Sequence, residues 1–273
     1  MKKFENILIA SDIDGTILWE ANYINPKNFE KLRYFCENGG HFTLSTGRNH
    51  IDVFRVTKQL EPFVNAPCIL CNGSYLYDKE TKEILNPKYL HTERTVKLFS
   101  EVKDLFPGVG FRASFPEGFL CPEENPIILE HLKAWNLEKL AIVRPLASFL
   151  EEKMFKAAFI CLDPDKLLAL QNYVKEHYSD VFNVTTSGKT IMEVQPLGVS
   201  KKTQIEHLKK LYPSCELWCI GDFNNDIEML LGADVAVCPE NAVDAVKAIA
   251  HLQVCHCKDG ALAEMIEEIE KRI

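Results

Sequence analysis

Apolar and polar residues alternate along this chain in blocks that predict an α/β fold. The apolar run at residues 7–10 leads into Ser11 and Asp12, which indicates a buried strand that ends in a turn. Similar runs at 41–45 and 66–71 are separated from it and from each other by segments with helical apolar spacing. This alternation predicts a parallel sheet with helical crossovers.

The pattern changes near residue 86 and returns near residue 195. Between them, strand patterns at 109–113, 119–121, 155–162, 182–186 and 190–195 accompany helical patterns at 93–106 and 163–177. Antiparallel strands with helices on one face form an α+β domain. We therefore predict a discontinuous α/β core, residues 1–85 and 195–273, and an inserted α+β domain, residues 86–194.

Composition adds the expected environment of the protein. The chain has 273 residues, 47% of them hydrophobic, and a net charge of −8, which disfavours nucleic acid and anionic membranes as partners. We find no signal peptide and no apolar stretch of membrane-spanning length. The ten cysteines are scattered, so we expect reduced thiols and a cytoplasmic location. Nothing in the sequence indicates the oligomeric state.

Polar side chains follow the predicted parallel strands at the points where those strands end. Because the carboxyl ends of parallel strands meet at one edge of a sheet, we expect these side chains to converge. A buried carboxylate without a partner is costly, which also favours a shared site. The converging residues are Asp12, Asp14, Thr46, Arg48, Asn72, Asp222 and Asp226, with Lys201 at the start of a helix.

This set of groups suits phosphoryl transfer. Carboxylates such as Asp12 and Asp222 form an oxygen site for a hard cation, and Mg²⁺ fits best. A carboxylate can also attack phosphorus and form an aspartyl-phosphate. Lys201, the cation and backbone N–H groups of the turn at Asp14 and Gly15 would neutralise charge and lower the pKa of Asp12. Asp14 is placed to act as general acid and then as general base.

Five motifs in order resemble the haloacid-dehalogenase (HAD) superfamily. They are DIDGT at 12–16, STGR at 45–48, CNGSYLYD at 71–78, PLGVSKKTQI at 196–205 and GDFNNDIEML at 221–230. Their order and spacing are similar to those of the Cof-type (type IIB) sugar-phosphate phosphatases. The resemblance implies a Rossmann-like parallel-sheet core with an inserted α+β cap that sets substrate specificity.

The resemblance also implies roles for individual residues. Asp12 would be the nucleophile and Asp14 the general acid/base, while Thr46 and Lys201 would orient the phosphate. Mg²⁺ would be held by Asp12, the backbone carbonyl of Asp14 and Asp222, with Asp226 as a further ligand or as a support. The phosphate pocket would be lined by Gly15, Arg48, Asn72 and Asn225.

The sequence thus predicts a Mg²⁺-dependent phosphatase that hydrolyses a small phosphorylated metabolite, in particular a sugar phosphate, through an aspartyl-phosphate. Two alternatives stay open. A phosphomutase of the same superfamily uses a similar pair of aspartates but shields the phosphoenzyme from water. A non-catalytic metabolite-binding regulator would keep the fold without turnover. In the inserted domain, His91, Arg112 and Lys189 are candidate substrate contacts, although basic residues of this kind more often lie at the surface.

Overall fold

The structure is a computed structural model that describes residues 2–273, and it contains two compact units. The core unit combines the chain up to Asn86 with Ser200–Ile273, and the inserted unit is Pro87–Val199. The second boundary lies beyond the predicted residue 194. The reason is that the strand continues, since Gln195 pairs with Asn183 and Pro196 with Phe182 in the sheet of the inserted unit.

The core unit begins with a strand–helix–strand arrangement. Asn25 caps the first helix, because its side chain accepts a hydrogen bond from the Lys27 N–H at 3.0 Å and Pro26 occupies the first turn. The elements of this segment are β1 (Ile7–Ser11), β2 (Leu18–Trp19), β3 (Tyr23–Ile24), α1 (Pro26–Glu37), β4 (His41–Leu44), α2 (Val53–Val56), β5 (Cys68–Leu70), β6 (Tyr75–Asp78) and β7 (Glu83–Leu85).

The inserted unit is a sheet with long helices against it. Its elements are α3 (Thr92–Leu105), β8 (Gly110–Phe115), β9 (Gly118–Pro122), α4 (Ile127–Ala134), β10 (Ala141–Arg144), β11 (Lys156–Ile160), α5 (Pro164–Tyr178), β12 (Phe182–Thr186) and β13 (Ile191–Pro196). The sheet order is β10-β9-β8-β11-β13-β12. All neighbours are antiparallel except β9 and β10, which run parallel.

The chain then returns to the core unit with α6 (Lys201–Leu211), β14 (Glu216–Ile220), α7 (Ile227–Gly232), β15 (Val235–Pro239), α8 (Asp244–Lys247), β16 (Leu252–Val254) and α9 (Ala261–Arg272). The main sheet has the order β16-β15-β14-β1-β4, and all its strands are parallel. The connections from β1 lead to β4 on one side, and β14 lies on the other. The carboxyl end of β1 is therefore a topological switch point, where ligands bind in such sheets. The α/β fold class predicted from the sequence is confirmed.

The third predicted strand of the parallel sheet joins it only loosely. β5 pairs antiparallel with β6, and β6 pairs antiparallel with β7. Ser45, the residue directly after β4, forms an isolated parallel bridge with Ile69 of β5. The apolar run at 66–71 fits a buried strand of either sheet, so the pattern alone could not assign its partners.

The predicted helix after Arg48 is much shorter than expected. The apolar spacing of Ile51, Phe54 and Leu60 predicts a helix with these residues on its inner face, but the structure has only the four-residue α2. Of those three, Leu60 is buried and the other two are half-buried. The side chain of Asn49 accepts a hydrogen bond from the Asp52 N–H at 2.9 Å, which forms a local turn that competes with a regular helix.

Two further features complete the fold. The core of the core unit packs Leu8 and Ala10 of β1 against Ile205 and Leu208 of α6. Among residues 2–273, no helix combines the length and the apolar character that crossing a bilayer requires.

Replacing Gly73 with alanine should destabilise the core unit. Gly73 has φ +92°, and an added Cβ would lie 1.9 Å from the carbonyl oxygen of Ser200. The control is Gly260→Ala, because Gly260 has φ +106° but its nearest contact would be 3.5 Å. We expect a loss of about 1 kcal/mol at position 260 from backbone strain alone. At position 73 we expect about 3 kcal/mol or more, since overpacking adds to the strain. Urea unfolding measures both, and equal losses would contradict the predicted contact.

Candidate active site

The carboxyl ends of β1, β4 and β14 bring the predicted site residues to one edge of the main sheet. Asp12 follows β1, and its N–H donates to the Ile220 carbonyl at the end of β14 at 2.9 Å. Thr46 follows β4 and donates its N–H to Ile69 at 2.9 Å. Asp222 follows β14. Residues far apart in sequence therefore meet because their strands are parallel neighbours.

Lys201 enters this edge from the first turn of α6. The helix start is fixed by a capping box, in which the Ser200 N–H donates to Thr203 Oγ1 at 3.1 Å. Lys201 is fully buried, and its Nζ donates to Asp12 Oδ1 at 2.7 Å and to Asp226 Oδ1 at 2.6 Å. A lysine is almost never fully buried unless it is paired. The ammonium group thus joins two carboxylates that stand 214 residues apart in the numbering, at 12 and 226.

Asp226 supports the site with both of its oxygens. Its Oδ1 accepts the hydrogen bond from Lys201, and its Oδ2 accepts the N–H groups of Asp222 and Phe223, each at 3.1 Å. Space around it is also restricted, because a Cβ at Gly221 would lie 2.5 Å from the Asp226 carboxyl carbon. The sequence left two roles open for Asp226, a further metal ligand or a support. These contacts favour the supporting role. Nevertheless Asp226 stays within reach of a shared cation.

Asp12, Asp222 and Asp226 form a cluster with the composition of a cation site. One oxygen of each lies within 4.8 Å of the others, and all three residues are buried. A single lysine faces three carboxylates, which leaves an excess of negative charge. A site built from carboxylate oxygens is suited to a hard cation. The chemistry of these donors therefore fits Mg²⁺ or a similar divalent ion.

The pKa values of the cluster show the same excess of negative charge. Burial is the largest cause of a raised pKa at Asp12, and the charges of Asp226 and Asp222 raise it further, while Lys201 lowers it. Burial, followed by the charge of Asp226, raises the pKa of Asp222 to about 7. The protein side chains by themselves therefore raise the pKa of Asp12, and the lowered pKa expected with a bound cation stays a prediction. Lys201 acts in the expected direction, but it is outweighed.

Asp14 and Arg48 form a pair that the sequence did not indicate. Arg48 Nε donates to Asp14 Oδ2 at 3.0 Å, and Nη2 donates to Asp14 Oδ1 at 2.8 Å. Arg48 Nη1 donates to Asp52 Oδ2 at 2.9 Å. The side chain of Asp14 is 54% exposed, so solvent reaches it. Asp14 is therefore paired with Arg48 and open to solvent, and its predicted acid/base role stays a prediction.

These contacts also change what Arg48 can do. Its guanidinium group already binds two carboxylates, so it is not placed as a dedicated phosphate ligand. Burial acts to lower the pKa of Arg48, but Asp14 and Asp52 together raise it above its ordinary value. Arg48 therefore stays charged and orients Asp14 through a bidentate contact.

The turn at Gly15 brings β1 against Asp222. Gly15 has φ +89°, and a Cβ there would lie 2.3 Å from Asp222 Oδ2, so only glycine fits. Its N–H donates to the Leu18 carbonyl at 2.8 Å and is not available to a phosphate, contrary to the expectation. The glycine is required for the approach of a carboxylate.

Two residues that stabilise this turn and its contact with Asp222 were not predicted from the sequence. Thr16 Oγ1 donates to Asp222 Oδ1 at 2.8 Å and orients that carboxylate. Asn241 Nδ2 donates to the Gly15 carbonyl at 2.7 Å and so fixes the turn from the segment before α8. Thr16 belongs to the DIDGT motif, so its position next to two aspartates could have indicated it. Nothing in the local pattern around Asn241 indicates its contact.

Thr46, Asn72 and Asn225 are linked by hydrogen bonds. The N–H of Asn72 donates to the Thr46 carbonyl at 3.0 Å, and Asn72 has φ 54°, a left-handed conformation that asparagine tolerates. Asn225 Nδ2 donates to Asn72 Oδ1 at 3.3 Å. Thr46 Oγ1 accepts the Arg48 N–H at 3.3 Å. The structure thus connects these three predicted residues, and their contact with phosphate stays a prediction.

Comparison with known proteins gives one family for this chain. The sequence model of the haloacid dehalogenase-like hydrolases matches residues 9–266. Among similar curated proteins, the HMP-PP phosphatase of Serratia proteamaculans is 26% identical over 95% of this chain and 94% of its own length. The pyridoxal phosphate phosphatase of Escherichia coli is 25% identical over 95% of this chain and 97% of its own length.

Solved structures have the same fold. The HAD subclass IIB sugar phosphatase BT4131 superposes with a TM-score of 0.81 and covers 96% of this chain and 98% of its own. Its sequence identity is 15%, so this likeness concerns the fold. The match extends over nearly the whole of both chains, including the inserted unit.

Binding of Mg²⁺ to the aspartate cluster should strengthen as the pH rises. The folded-state pKa of Asp222 is raised from its ordinary 3.8 to about 7. Between these values the folded protein holds a proton that the unfolded chain releases, so without the cation rising pH lowers stability. Mg²⁺ must displace that proton, and its apparent affinity should be roughly 30-fold weaker at pH 5.5 than at pH 8.

Thermal unfolding with and without Mg²⁺ at both pH values measures this effect. The shift in Tm should be larger at pH 8, and Asp222→Asn should remove most of it. The control is Asp234→Asn, because Asp234 is partly exposed and binds Lys209 at 2.7 Å outside the cluster. An equal Mg²⁺ shift at pH 5.5 and pH 8 would contradict the raised pKa.

Proposed function

Since this chain belongs to the haloacid dehalogenase-like hydrolases, we propose that it is a Mg²⁺-dependent phosphatase of small phosphorylated metabolites that works through an aspartyl-phosphate on Asp12. The family predicted from the five sequence motifs is confirmed. The observation that carries the proposal is the position of Asp12. Its carboxylate is buried, bonded to Lys201 at 2.7 Å and gathered with two further aspartates at the end of the central strand.

Asp12 is the group best placed for nucleophilic attack. Its carboxylate oxygen attacks phosphorus, the bond between phosphorus and the ester oxygen breaks, and an acyl phosphate forms on Asp12. Lys201 offsets negative charge as the two anions approach. Asp12 and Asp222, with the backbone carbonyl of Asp14, would hold the cation, which would supply further positive charge for the phosphate oxygens. Thr16 and Asp226 keep Asp222 and Lys201 in place.

Asp14 completes the reaction as acid and then as base. Its protonated form gives a proton to the departing ester oxygen, and its ionised form takes one from the water that attacks the acyl phosphate. The products are the alcohol and inorganic phosphate, and Asp12 is regenerated. Arg48 positions Asp14, and the exposure of Asp14 to solvent supports its role in proton exchange.

The substrate is proposed from the chemistry of relatives. The similar proteins are named for the hydrolysis of HMP-PP and of pyridoxal phosphate, and the similar structure is that of a sugar phosphatase. These molecules share a phosphate on a small polar metabolite. We assign this class to the chain, with sugar phosphates as the first compounds to assay. The inserted unit is then the domain that selects among them.

Replacing Asp12 and Asp14 one at a time with asparagine should separate their roles. With p-nitrophenyl phosphate and Mg²⁺, Asp14→Asn should release about one equivalent of nitrophenol in a burst and then turn over slowly, because nitrophenolate departs without a proton. Asp12→Asn should give neither burst nor turnover. Asp52→Asn is the control, since this carboxylate contacts Arg48 but not the reacting groups.

Near-normal turnover by Asp12→Asn would overturn the mechanism. Product analysis with hexose 1-phosphates decides between the two enzyme classes. Release of inorganic phosphate supports a phosphatase, whereas an isomeric sugar phosphate would identify a mutase.

Loss of Arg48 should lower kcat and leave KM little changed. Arg48→Met removes both hydrogen bonds to Asp14, so the acid/base group loses its orientation. We expect kcat to fall about 10- to 100-fold, within the range of general acid–base effects. Arg55→Met is the matched control, because Arg55 is exposed on α2. A large rise in KM with unchanged kcat would instead identify Arg48 as a phosphate ligand, as the sequence first suggested.

A further inference from the structure

Three consecutive residues between β5 and β6 have left-handed backbone conformations. The φ angles are 50° at Cys71, 54° at Asn72 and 92° at Gly73. Glycine adopts this region without steric cost and asparagine tolerates it, whereas cysteine rarely occupies it. Strained residues of this kind persist only where surrounding contacts fix them, and they are frequent at functional sites. We call these three residues the left-handed turn.

The left-handed turn holds the loop after β4 through its backbone. The N–H of Cys71 donates to the Arg48 carbonyl at 2.9 Å, and the N–H of Asn72 donates to the Thr46 carbonyl at 3.0 Å. Since Arg48 binds the Asp14 carboxylate, the position of the turn affects the proposed acid/base group. One side of the candidate site therefore depends on a backbone conformation that the chain does not favour by itself.

The side chain of Gln204 fixes the left-handed turn from α6. Its Nε2 donates to the Gly73 carbonyl at 3.0 Å and to the Asn86 carbonyl at 3.2 Å. Its Oε1 accepts a hydrogen bond from Asn86 Nδ2 at 3.2 Å. Gln204 is fully buried, and the reversed amide would place its oxygen against two carbonyl groups. These contacts therefore select one orientation of the side chain.

Gln204 lies on the helix that also carries Lys201. The two residues are three positions apart on α6, so they lie on the same side of the helix, and both are buried. Lys201 Nζ donates to Asp12 Oδ1 at 2.7 Å. The turn packs closely against the start of the helix, because an added Cβ at Gly73 would lie 1.9 Å from the Ser200 carbonyl oxygen. Gln204 therefore connects the helix of the lysine to the left-handed turn.

We propose that Gln204 is a positioning residue for the reaction. It holds the left-handed turn against α6, and so fixes the distance between the nucleophile side of the site, bound by Lys201, and the acid/base side, bound by Arg48. This inference rests on the proposed phosphatase function. The hydrogen bonds of Gln204 go to Gly73 and Asn86, so its effect on the reaction passes through the backbone of the turn.

The first test is kinetic and uses the full-length protein with Mg²⁺ and p-nitrophenyl phosphate. Gln204→Met keeps the length of the side chain but removes its three hydrogen bonds. We expect kcat to fall about tenfold and KM to change less than about threefold, because the reacting groups are displaced while the substrate still binds.

Asn65→Leu is the control for this variant. The Asn65 amide also bridges backbone groups of the core unit, since it accepts the Phe42 N–H at 2.7 Å and donates to the Gly40 carbonyl at 3.0 Å. These contacts lie at the amino end of β4, at the opposite edge of the sheet from the site. Asn65→Leu should therefore keep the wild-type kcat.

The second test follows the turn itself through the thiol of Cys71. Cys71 is fully buried, so N-ethylmaleimide labels it only when the turn opens. In Gln204→Met the labelling of Cys71, measured by peptide mass spectrometry, should be about tenfold faster. Cys219 in β14 is also fully buried and reports opening of the main sheet. Its labelling rate should be unchanged.

A milder variant keeps the test decisive if Gln204→Met does not fold. Asn86→Gly removes only the hydrogen bond to Gln204 Oε1, and glycine retains the left-handed backbone of this position, where φ is 48°. We expect the same two effects at about threefold each.

The inference requires both a lower kcat and faster labelling that is confined to Cys71. If either effect is missing in the folded variants, or if Cys219 is labelled faster as well, Gln204 is not a positioning residue and the inference is wrong. If the wild type hydrolyses no phosphate monoester, the proposed function itself fails, whatever the labelling of Cys71 shows about the turn.

Discussion

The rest of the site depends on the two ion pairs that Lys201 forms. One fully buried ammonium group binds Asp12 from β1 and Asp226 from the turn after β14. It can do so only because α6 begins beside the carboxyl ends of two neighbouring parallel strands. Removal of the lysine charge would leave three buried carboxylates together, a condition that proteins avoid through protonation or through a bound cation. The sheet order and the charge balance of the site are therefore linked.

The protein side chains alone do not balance the negative charge of the aspartate cluster. This shortage of positive charge matters for the proposed reaction. Burial and mutual repulsion raise the pKa of Asp12 and Asp222, so the side chains alone favour protonation. A divalent cation would reverse this and favour the ionised form of Asp12 that the proposed mechanism requires. The reactive form of the nucleophile and the loading of the cation then become one event. Asp14 differs from this cluster, because it is exposed to solvent and is held by Arg48.

The sequence predicted the parts of the site that backbone topology controls. Asp12, Thr46, Asp222 and Lys201 follow strand ends or begin a helix, so their convergence follows from a parallel sheet. It did not predict the partner of Arg48, because a long side chain can reach several groups and spacing does not select one. The partners of β5 were not predictable for a similar reason, since a short apolar run fits either sheet. The prediction of a long helix after Arg48 was wrong because the side-chain turn at Asn49 outweighs apolar periodicity.

The central claim is that Asp12 carries the phosphoryl group during turnover. The most direct measurement is to quench the enzyme in acid during hydrolysis of a phosphate monoester, reduce the protein with borohydride and map its peptides. An acyl phosphate is reduced to an alcohol, so the account predicts homoserine at position 12 and an unmodified Asp14. Homoserine at another aspartate, or none in an enzyme that is actively releasing phosphate, would contradict it.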